Sequence, residues 1–361
     1  MHIETITKAA RFHDLRSAWH DIYRRDAQSH IFLSHEWLGT WFSLSSPRWV
    51  ILGAKPDREG DFLGFFPLRV QRLDSGAAGL RLAPAGTKLA DFTGFLCHPD
   101  KETLVARAFG EALVRLGPER VDLDNLLLSD KRLAALLAGA KRGGGRCLGR
   151  TVPDNGDGID LSIAPFVHLP PDWETFLACR MRSNSRQKAR RFLRKLDEAG
   201  ELVVTHMSEE TRERDIRVLL RFWLAAFSAR KGARAQECAT TIARSMAAFH
   251  EAGLLDLCLL WRNGSPVAAH ALYIDQVKRS LHFVIGACDK SVQSPPPSFL
   301  LHCYSIRRGI ARGYRLYDFL RGNEAYKYSF CDEERRIRSV SVVIQKAGDR
   351  TTESLRSCAT Q

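Results

Sequence analysis

Side chains that can move protons are concentrated in one short segment of the sequence, residues 318–327. Asp318 ends an apolar stretch, and three more polar side chains follow a glycine that permits a tight turn: Glu324, Tyr326 and Lys327. Proton transfer needs a base, for which Glu324 or Asp318 is suited, and an acid, for which Tyr326 is suited. Lys327 can steady an oxyanion or hold a phosphate. A structural interpretation also fits, in which an Asp–Lys bridge pins the last two strands.

The stretch before these residues alternates between two faces, as a strand does. Tyr317 and Phe319 point to one side and Asp318 to the other. A carboxylate at the end of an otherwise apolar strand costs free energy unless it has a partner. We expect Lys327 or Arg321 to supply that partner.

A strongly basic helix is predicted upstream of this segment. Residues 180–195 contain eight arginines and lysines and no acid. Arg186, Arg190 and Arg194 are spaced four residues apart, so they share one face of the helix. A column of like charges is unfavourable unless an anion lies on it, and guanidinium groups match phosphate oxygens well. The alternative is a solvated helix face with nothing bound.

Two further candidates are a helix start and a lone histidine. A helix is predicted to begin at Ser298, and the free N–H groups of a helix N-terminus attract anions. Ser298 can equally cap a helix that binds nothing. His270 lies in a predicted strand and faces the same way as Ala268 and Leu272. It is either a satisfied core residue or part of an acceptor site.

Composition limits the classes of protein that this chain can belong to. Its 361 residues suffice for two domains, and a net charge of +13 favours anionic partners such as CoA, nucleotide or sugar phosphates, or tRNA. The nine cysteines form no C-x-x-C pair, and we expect no bound metal. Neither a G-x-G-x-x-G motif nor a P-loop is present. No stretch approaches the roughly 20 apolar residues of a membrane span, and the first residues lack a secretion signal, so we expect a cytoplasmic protein.

The order of predicted elements indicates two α/β domains. We expect an N-terminal domain at residues 1–160, a C-terminal catalytic domain at 161–345 and a flexible tail at 346–361. Asn263 and Gly264 join two predicted strands and are a strong hairpin signal. Residues 172–200 are predicted as one helix. The alternating stretch at 336–345 is predicted to close the sheet of the second domain.

Three segments resemble one known family. SNSRQKARRFLRKLDEAGELVV, YDFLRGNEAYKYSF and the N-terminal FLSHEWLGTW are similar to motifs of the CelD-like (cellulose-biosynthesis type) GNAT acetyltransferases, which are relatives of the FemAB aminoacyltransferases. The second segment carries the pattern D-F-x-x-G-x-E-x-Y-K. The resemblance covers roughly residues 12–345.

The resemblance implies an α+β fold of tandem GNAT-like domains, each a mixed, mostly antiparallel sheet flanked by helices. It implies a bacterial acyltransferase that moves an acyl group from acetyl-CoA or another acyl-CoA to an amine or hydroxyl acceptor, such as a sugar or a cell-surface polysaccharide precursor. The donor would enter between splayed strands near 281–287 and 315–320. The donor-binding residues would be Arg186, Arg190, Arg194, Ser298 and Ile285. His270 and Arg321 would bind the acceptor.

One departure from the family pattern leaves other functions open. Where the family has a small Pro-Gly turn, residues 294–298 contain three consecutive prolines, which removes three N–H donors. An aminoacyl-tRNA-dependent transferase of the FemAB type would use the basic helix to hold RNA. A degenerate GNAT scaffold in a biosynthetic complex would bind no donor. A non-enzymatic nucleic-acid module is disfavoured, because no aromatic residues alternate with the basic ones.

Overall fold

A computed structural model of the chain describes residues 1–45, 48–72, 79–151, 157–198, 200–232 and 234–344. These residues form two compact units, of which the first comprises residues 1–162 and the described residues from Arg336 onward, and the second comprises Ile163–Arg335. The expected tail at 346–361 lies outside the described residues. Within the described ranges, no helix is both long and apolar enough to cross a membrane.

The first unit is built on one mixed sheet. Its strands are β1 (His2–Ile6), β2 (Trp49–Lys55), β3 (Gly64–Arg72), β4 (Leu80–Pro84), β5 (Leu96–Cys97), β6 (Arg120–Leu126), β7 (Gly145–Arg150) and, from the C-terminal part of the chain, β15 (Arg338–Ile344). Its helices are α1 (Ala9–Asp14), α2 (Arg16–Arg25), α3 (His35–Ser45), α4 (Glu102–Arg115) and α5 (Asp130–Arg142). The strand order is β1-β2-β3-β4-β6-β15-β7, with β5 paired to β3, and β4 and β6 pair in parallel.

Helices cover both faces of this sheet near β3. Phe66 points towards α4 and packs with Phe109, whereas the neighbouring Phe65 points to the other face and stacks on Trp19 of α2 at 4.5 Å. A buried ion pair braces this unit, since both Nη atoms of Arg132 lie 2.8 Å from the carboxylate of Asp26. The alternation of the strand residues thus produces two packed layers.

The C-terminal strand β15 belongs to the first sheet, which differs from the predicted organisation. We expected residues 336–345 to close the second domain. Instead β15 lies antiparallel between β6 and β7, with Ser341 opposite both Asp122 and Leu148. The alternation of the sequence predicts which side chains share a face, but it carries no information about which strands are neighbours. The first unit is therefore discontinuous in sequence.

The second unit contains a seven-stranded sheet with helices on both faces. Its strands are β8 (Ile163–His168), β9 (Leu202–His206), β10 (Leu255–Arg262), β11 (Ser265–Asp275), β12 (Ser280–Cys288), β13 (Leu316–Asp318) and β14 (Glu333–Arg336). Its helices are α6 (Trp173–Arg180), α7 (Ser183–Asp197), α8 (Arg212–Lys231), α9 (Arg234–Glu251) and α10 (Pro297–Ala311). The strand order is β14-β8-β13-β12-β11-β10-β9, and the sheet is mostly antiparallel. The predicted fold class, α+β with two mixed sheets flanked by helices, is confirmed.

Two local predictions in this unit have different outcomes. Asn263 and Gly264 both have positive φ, 49° and 77°, and join β10 to β11 as a tight hairpin, as predicted. The single helix predicted at 172–200 is wrong, because Met181 and Arg182 are extended and separate α6 from α7. Met181 is buried in the core, so apolar packing stabilises the extended segment between the two helices.

Candidate functional site

The central feature of the second unit is a pair of parallel strands that separate. β12 and β13 pair only from Ser280 opposite Leu316 to His282 opposite Asp318. β12 then continues to Cys288, whereas the chain after Asp318 turns towards β8, where the Phe319 N–H donates to the Pro165 carbonyl. The second half of β12 therefore has one edge without a β13 partner. Backbone N–H and C=O groups along such an edge can bind an extended ligand.

A bulge in β12 lies at the point where the strands separate. The register shifts between Leu272 opposite Phe283 and Ala271 opposite Ile285, so Val284 is the extra residue. Ile285, predicted to contact the donor, is half-buried beyond this bulge. The structure therefore places Ile285 on the unpaired part of β12.

The first turn of α10 lies next to this strand and offers few free donors. Pro297 has no N–H, and the Ser298 N–H donates to the thiol of Cys288. The Leu300 N–H already bonds to the Pro296 carbonyl. Among the described residues, the Phe299 amide is the first-turn donor that remains for a ligand. The N-terminus of α10 alone is therefore a weak anion site.

Ser298 is joined to His270 in the floor of the site. The Ser298 hydroxyl lies 3.0 Å from Nε2 of His270, which is fully buried on β11. Burial lowers the pKa of His270 to about 3, so the ring is neutral at physiological pH. Its Nδ1 is buried without a hydrogen bond in the described structure. His270 therefore positions the first turn of α10 from the buried side and does not face a ligand directly.

A second buried histidine, His302 of α10, extends this group. Its ring centroid lies 4.4 Å from that of His270, and its Nδ1 lies 3.1 Å from the Tyr317 hydroxyl. Burial, followed by the proximity of His270 and Lys327, lowers the pKa of His302 well below its usual value. The ring of Tyr326 stacks on His302 at 5.6 Å. The cluster thus extends from the first turn of α10 to Tyr326, the predicted acid.

Asp318 points to the other face of β13, as predicted, but its partner is Arg335. The Arg335 Nη1 lies 2.7 Å from Asp318 Oδ2, and the Leu320 N–H donates to Oδ1 at 2.8 Å. The carboxylate is fully buried. Neither Lys327 nor Arg321 fills the role that we expected. Because both oxygens are engaged, the geometry favours a structural role for Asp318 over that of a base.

Lys327 holds the turn that follows β13. Its ammonium group is almost completely buried and donates to the carbonyls of Leu320, Arg321 and Gly322 at 3.3, 2.8 and 2.9 Å. Leu320 and Gly322 both have positive φ, 58° and 103°. The three protons of the ammonium group are thus directed at three carbonyls, which favours a structural clamp over an oxyanion ligand.

Glu324 and Tyr326 remain as the accessible polar groups of this segment. One carboxylate oxygen of Glu324 lies 2.9 Å from Nζ of Lys327, and the side chain is about one-third exposed. Tyr326 is 41% exposed. Partial burial, followed by the charge of Glu324, raises the pKa of Tyr326, so the phenol stays protonated at neutral pH. These two residues fit the predicted roles of base and acid best.

The basic helix α7 runs alongside α10. Phe192 packs edge-on against Phe299 in the first turn of α10, and Arg307 binds Asp197 through two bonds of 2.7 Å. The first half of α7 therefore projects past the N-terminus of α10. Its apolar stripe is buried, as the spacing predicts.

The three arginines of α7 differ in their surroundings. Arg190 lies 2.5 Å from Glu174 of α6, which offsets part of its charge. Arg186 is half-buried, Arg194 is exposed, and no acidic partner of either is recorded in the part of the chain that the structure describes. Arg186 and Arg194 are thus better anion ligands than Arg190.

Two residues of this site, His302 and Arg335, are not among the candidates that the sequence indicates. A histidine within an amphipathic helix carries no signal of its own, and the pairing of Arg335 with Asp318 depends on β14 lying near β13 in space. The available signal for His302 was its place on the buried face of α10. The other candidates, except Asp318, gather around the first turn of α10, α7 and the turn after β13.

Comparisons with known proteins agree with this geometry. Residues 183–328 match the family described as "Acetyltransferase (GNAT) domain". No curated protein sequence matches the chain. The fold is similar to that of FemX, with a TM-score of 0.67 and 11% identity over 100% of both chains.

Two further solved structures are similar over nearly the whole chain. L-PGS from Bacillus licheniformis has a TM-score of 0.52 and 13% identity over 98% of this chain and 96% of its own. A tandem GNAT protein from the clavulanic acid biosynthesis pathway has a TM-score of 0.51 and 13% identity over 97% of this chain and 100% of its own. These similarities show that the chain has the fold of tandem GNAT proteins. The residues that match the GNAT domain, 183–328, lie within the second unit.

Proposed function

We propose that the protein is an acyltransferase that takes an acyl group from acyl-CoA and transfers it to an amine or hydroxyl acceptor. The observation that carries the proposal is the separation of β12 from β13 after His282 and Asp318. It leaves an unpaired strand edge within a matched GNAT domain, and GNAT domains generally bind acyl-CoA. An extended thioester donor can bond to that edge.

Cations supply the charge that the donor phosphates require. Because three prolines leave α10 with few free N–H groups, the N-terminus of that helix cannot hold a diphosphate alone. Arg186 and Arg194 of the adjacent α7 can contribute charge-assisted hydrogen bonds. The proposed donor site therefore depends more on arginine side chains than on backbone amides.

The proposed chemistry is direct transfer. The acceptor nitrogen or oxygen attacks the thioester carbonyl, a proton leaves the acceptor, and the thiolate of CoA takes up a proton. Glu324 receives the acceptor proton directly or through water, and Tyr326 supplies the proton to the thiolate. Lys327 and Asp318 hold the turn that positions these two groups. A sugar or polysaccharide precursor is the proposed acceptor, which follows from the family resemblance alone.

Calorimetric titration of the full chain with acetyl-CoA tests this proposal. We expect micromolar binding that weakens at least tenfold in Arg186→Gln/Arg194→Gln, since each lost charged hydrogen bond costs about 1.5 kcal/mol or more. The matched control is Arg217→Gln, which removes an exposed arginine from α8. Absence of binding to acetyl-CoA and longer acyl-CoAs would contradict a CoA-dependent transferase.

A specific observation also favours the aminoacyl-tRNA-dependent alternative. The cations of α7 extend along a helix of 15 residues, or about 22 Å, which exceeds the reach of one diphosphate. FemX is among the similar structures. This alternative predicts tRNA binding whose affinity falls steeply with salt, together with no response to acyl-CoA. A filter-binding titration at two salt concentrations separates the two functions.

A further inference from the structure

A second cationic surface lies in the first unit, far in sequence from α7. The apolar residues of β4, β6, β15 and β7 face α4 and α5, and the alternate residues point to the opposite face. That face carries Arg81 opposite Arg120, and Asp122 opposite Ser341. Arg69 of the adjacent β3 lies on the same face, because its neighbour Gln71 is paired with Arg81.

Asp122 is the centre of this cluster. Its almost completely buried carboxylate lies 2.6 Å from Nε of Arg81, 2.7 Å from Nε of Arg120 and 3.3 Å from Nη1 of Arg150. The Ser341 hydroxyl also donates to it. Burial raises the pKa of Asp122, but hydrogen bonds from Ser341 and Arg120 and the charges of Arg150 and Arg81 together lower the pKa overall. One firmly ionised carboxylate therefore organises three guanidinium groups.

The outer ends of these arginines reach solvent. Their side chains are 32%, 45% and 30% exposed for Arg81, Arg120 and Arg150. Arg81 contacts the carboxylate through Nε, so its two terminal nitrogens are available beyond the pair. Asp124 neutralises part of the charge of Arg150 at 2.6 Å. The carboxylate thus fixes the arginines without exhausting their donors.

Arg69 adds a cation for which the described residues offer no counter-charge. It is half-buried, and no ion pair or hydrogen bond of its side chain is recorded among the described residues. Burial and the neighbouring charge of Arg81 both lower its pKa. Within the described ranges these four arginines share two carboxylates, and a half-buried cation beside another cation costs folding free energy when nothing neutralises it. Such a cost is expected where a site is built for an anion.

We propose that the cluster of Arg69, Arg81, Arg120 and Arg150, held by Asp122, binds a phosphate-bearing ligand of two or more negative charges. Phosphate oxygens match the forked donors of guanidinium groups and would supply the missing counter-charge. This site is distinct from the arginines of α7 and does not depend on the proposed acyl transfer.

The experiment is a calorimetric titration of the full chain with inorganic diphosphate. It uses the Arg186→Gln/Arg194→Gln background, so that α7 contributes little to the heat. We expect saturable binding that weakens about tenfold or more when Arg69→Gln is added. Arg107→Gln, which removes an exposed arginine from α4 on the opposite side of the sheet, is the matched control and should leave the affinity unchanged.

Thermal unfolding provides a second readout that a structural arginine would not give. Because no described residue neutralises Arg69, Arg69→Gln should leave Tm unchanged or raise it in phosphate-free buffer, while it abolishes most of the rise in Tm caused by diphosphate. A fall in Tm without diphosphate would show that Arg69 is structural and would overturn the proposal. Absence of diphosphate binding, or equal affinity in Arg69→Gln and Arg107→Gln, would overturn it as well.

Discussion

The hydroxyl of Ser298 and Nε2 of His270 lie 3.0 Å apart, and this contact joins the middle of β11 to the first turn of α10. The serine is at the surface of the proposed donor site, and the histidine is fully buried. A neutral imidazole can hold the hydroxyl without bringing charge into the core. The contact therefore couples the placement of α10 to the protonation state of a core residue.

The stability of the protein should consequently depend on His270 at acidic pH. Its pKa is about 3 in the folded protein and near 6.5 when unfolded, so between these values the unfolded state binds the extra proton. Stability is then greatest above pH 6.5 and falls as the pH drops towards 3. Between pH 7 and 5, this single group should remove about 2 kcal/mol of unfolding free energy.

Urea denaturation of His270→Gln at pH 7 and pH 5 measures this effect. The variant should lose about 2 kcal/mol less than the wild type between the two pH values. His13→Gln, which replaces an exposed histidine, is the control and should follow the wild type. Equal pH dependence in His270→Gln and the wild type would show that the buried ring does not carry the effect.

A tight contact between Gly286 and His270 yields a second prediction. A Cβ atom at position 286 would lie 2.7 Å from Cδ2 of His270 and 2.7 Å from the ring of Phe283. Gly286→Ala should therefore destabilise the fold by about 1–3 kcal/mol through overpacking. Urea midpoints measure the effect.

A double-mutant cycle then tests whether the histidine ring is the obstacle. In a His270→Ala background the ring is absent, so the penalty of Gly286→Ala should shrink by about 0.5 kcal/mol or more. Additive penalties would show that the obstruction lies elsewhere, with Phe283 as the remaining neighbour.

The turn that Lys327 holds gives a third prediction. Lys327→Met keeps most of the apolar stem but leaves three carbonyls without their donor. Two of these carbonyls belong to residues with positive φ, whose conformation needs support. The variant should be destabilised by about 3 kcal/mol, which denaturation measures directly. Unchanged stability would mean that Lys327 is not a clamp and would restore it as a candidate oxyanion ligand.

Local signals in the sequence predicted much of the fold. The hairpin at Asn263 and Gly264, the apolar stripe of α7 and the facing of Tyr317 away from Asp318 follow from turn chemistry and periodicity, which are properties of neighbouring residues. The motif around Tyr326 located the turn after β13. What could not be predicted was the assignment of β15 to the first sheet, because strand pairing is decided by contacts distant in sequence.

The same distinction explains the outcome at the candidate site. Asp318 was expected to need a partner, and it has one, but the partner comes from a strand 17 residues away that reaches Asp318 only after the sheet has formed. Lys327, a predicted site residue, donates instead to backbone carbonyls, and no sequence pattern predicts such contacts. The residue types predicted a polar cluster. The fold shows that Asp318 and Lys327 have structural contacts, whereas Glu324 and Tyr326 remain accessible.

Tyr326 provides the most direct test of the proposed chemistry. Tyr326→Phe retains the ring that stacks on His302 and removes only the hydroxyl. If the phenol protonates the departing thiolate, kcat should fall about 100-fold, while the free energy of unfolding should change by less than about 1 kcal/mol. The assay follows thiol release from acetyl-CoA in the presence of an acceptor found by screening amines and sugars.

Tyr328→Phe is the matched control for this substitution. Tyr328 lies two residues further on, and its hydroxyl donates to Glu334 rather than facing the stack on His302. Its loss should leave kcat unchanged. Because burial and Glu324 raise the pKa of Tyr326, wild-type activity should persist to alkaline pH and fall only where the phenol loses its proton. The activity of Tyr326→Phe should not show this fall. A Tyr326→Phe enzyme with wild-type kcat across the pH range would exclude the phenol as the acid and would leave water as the proton source.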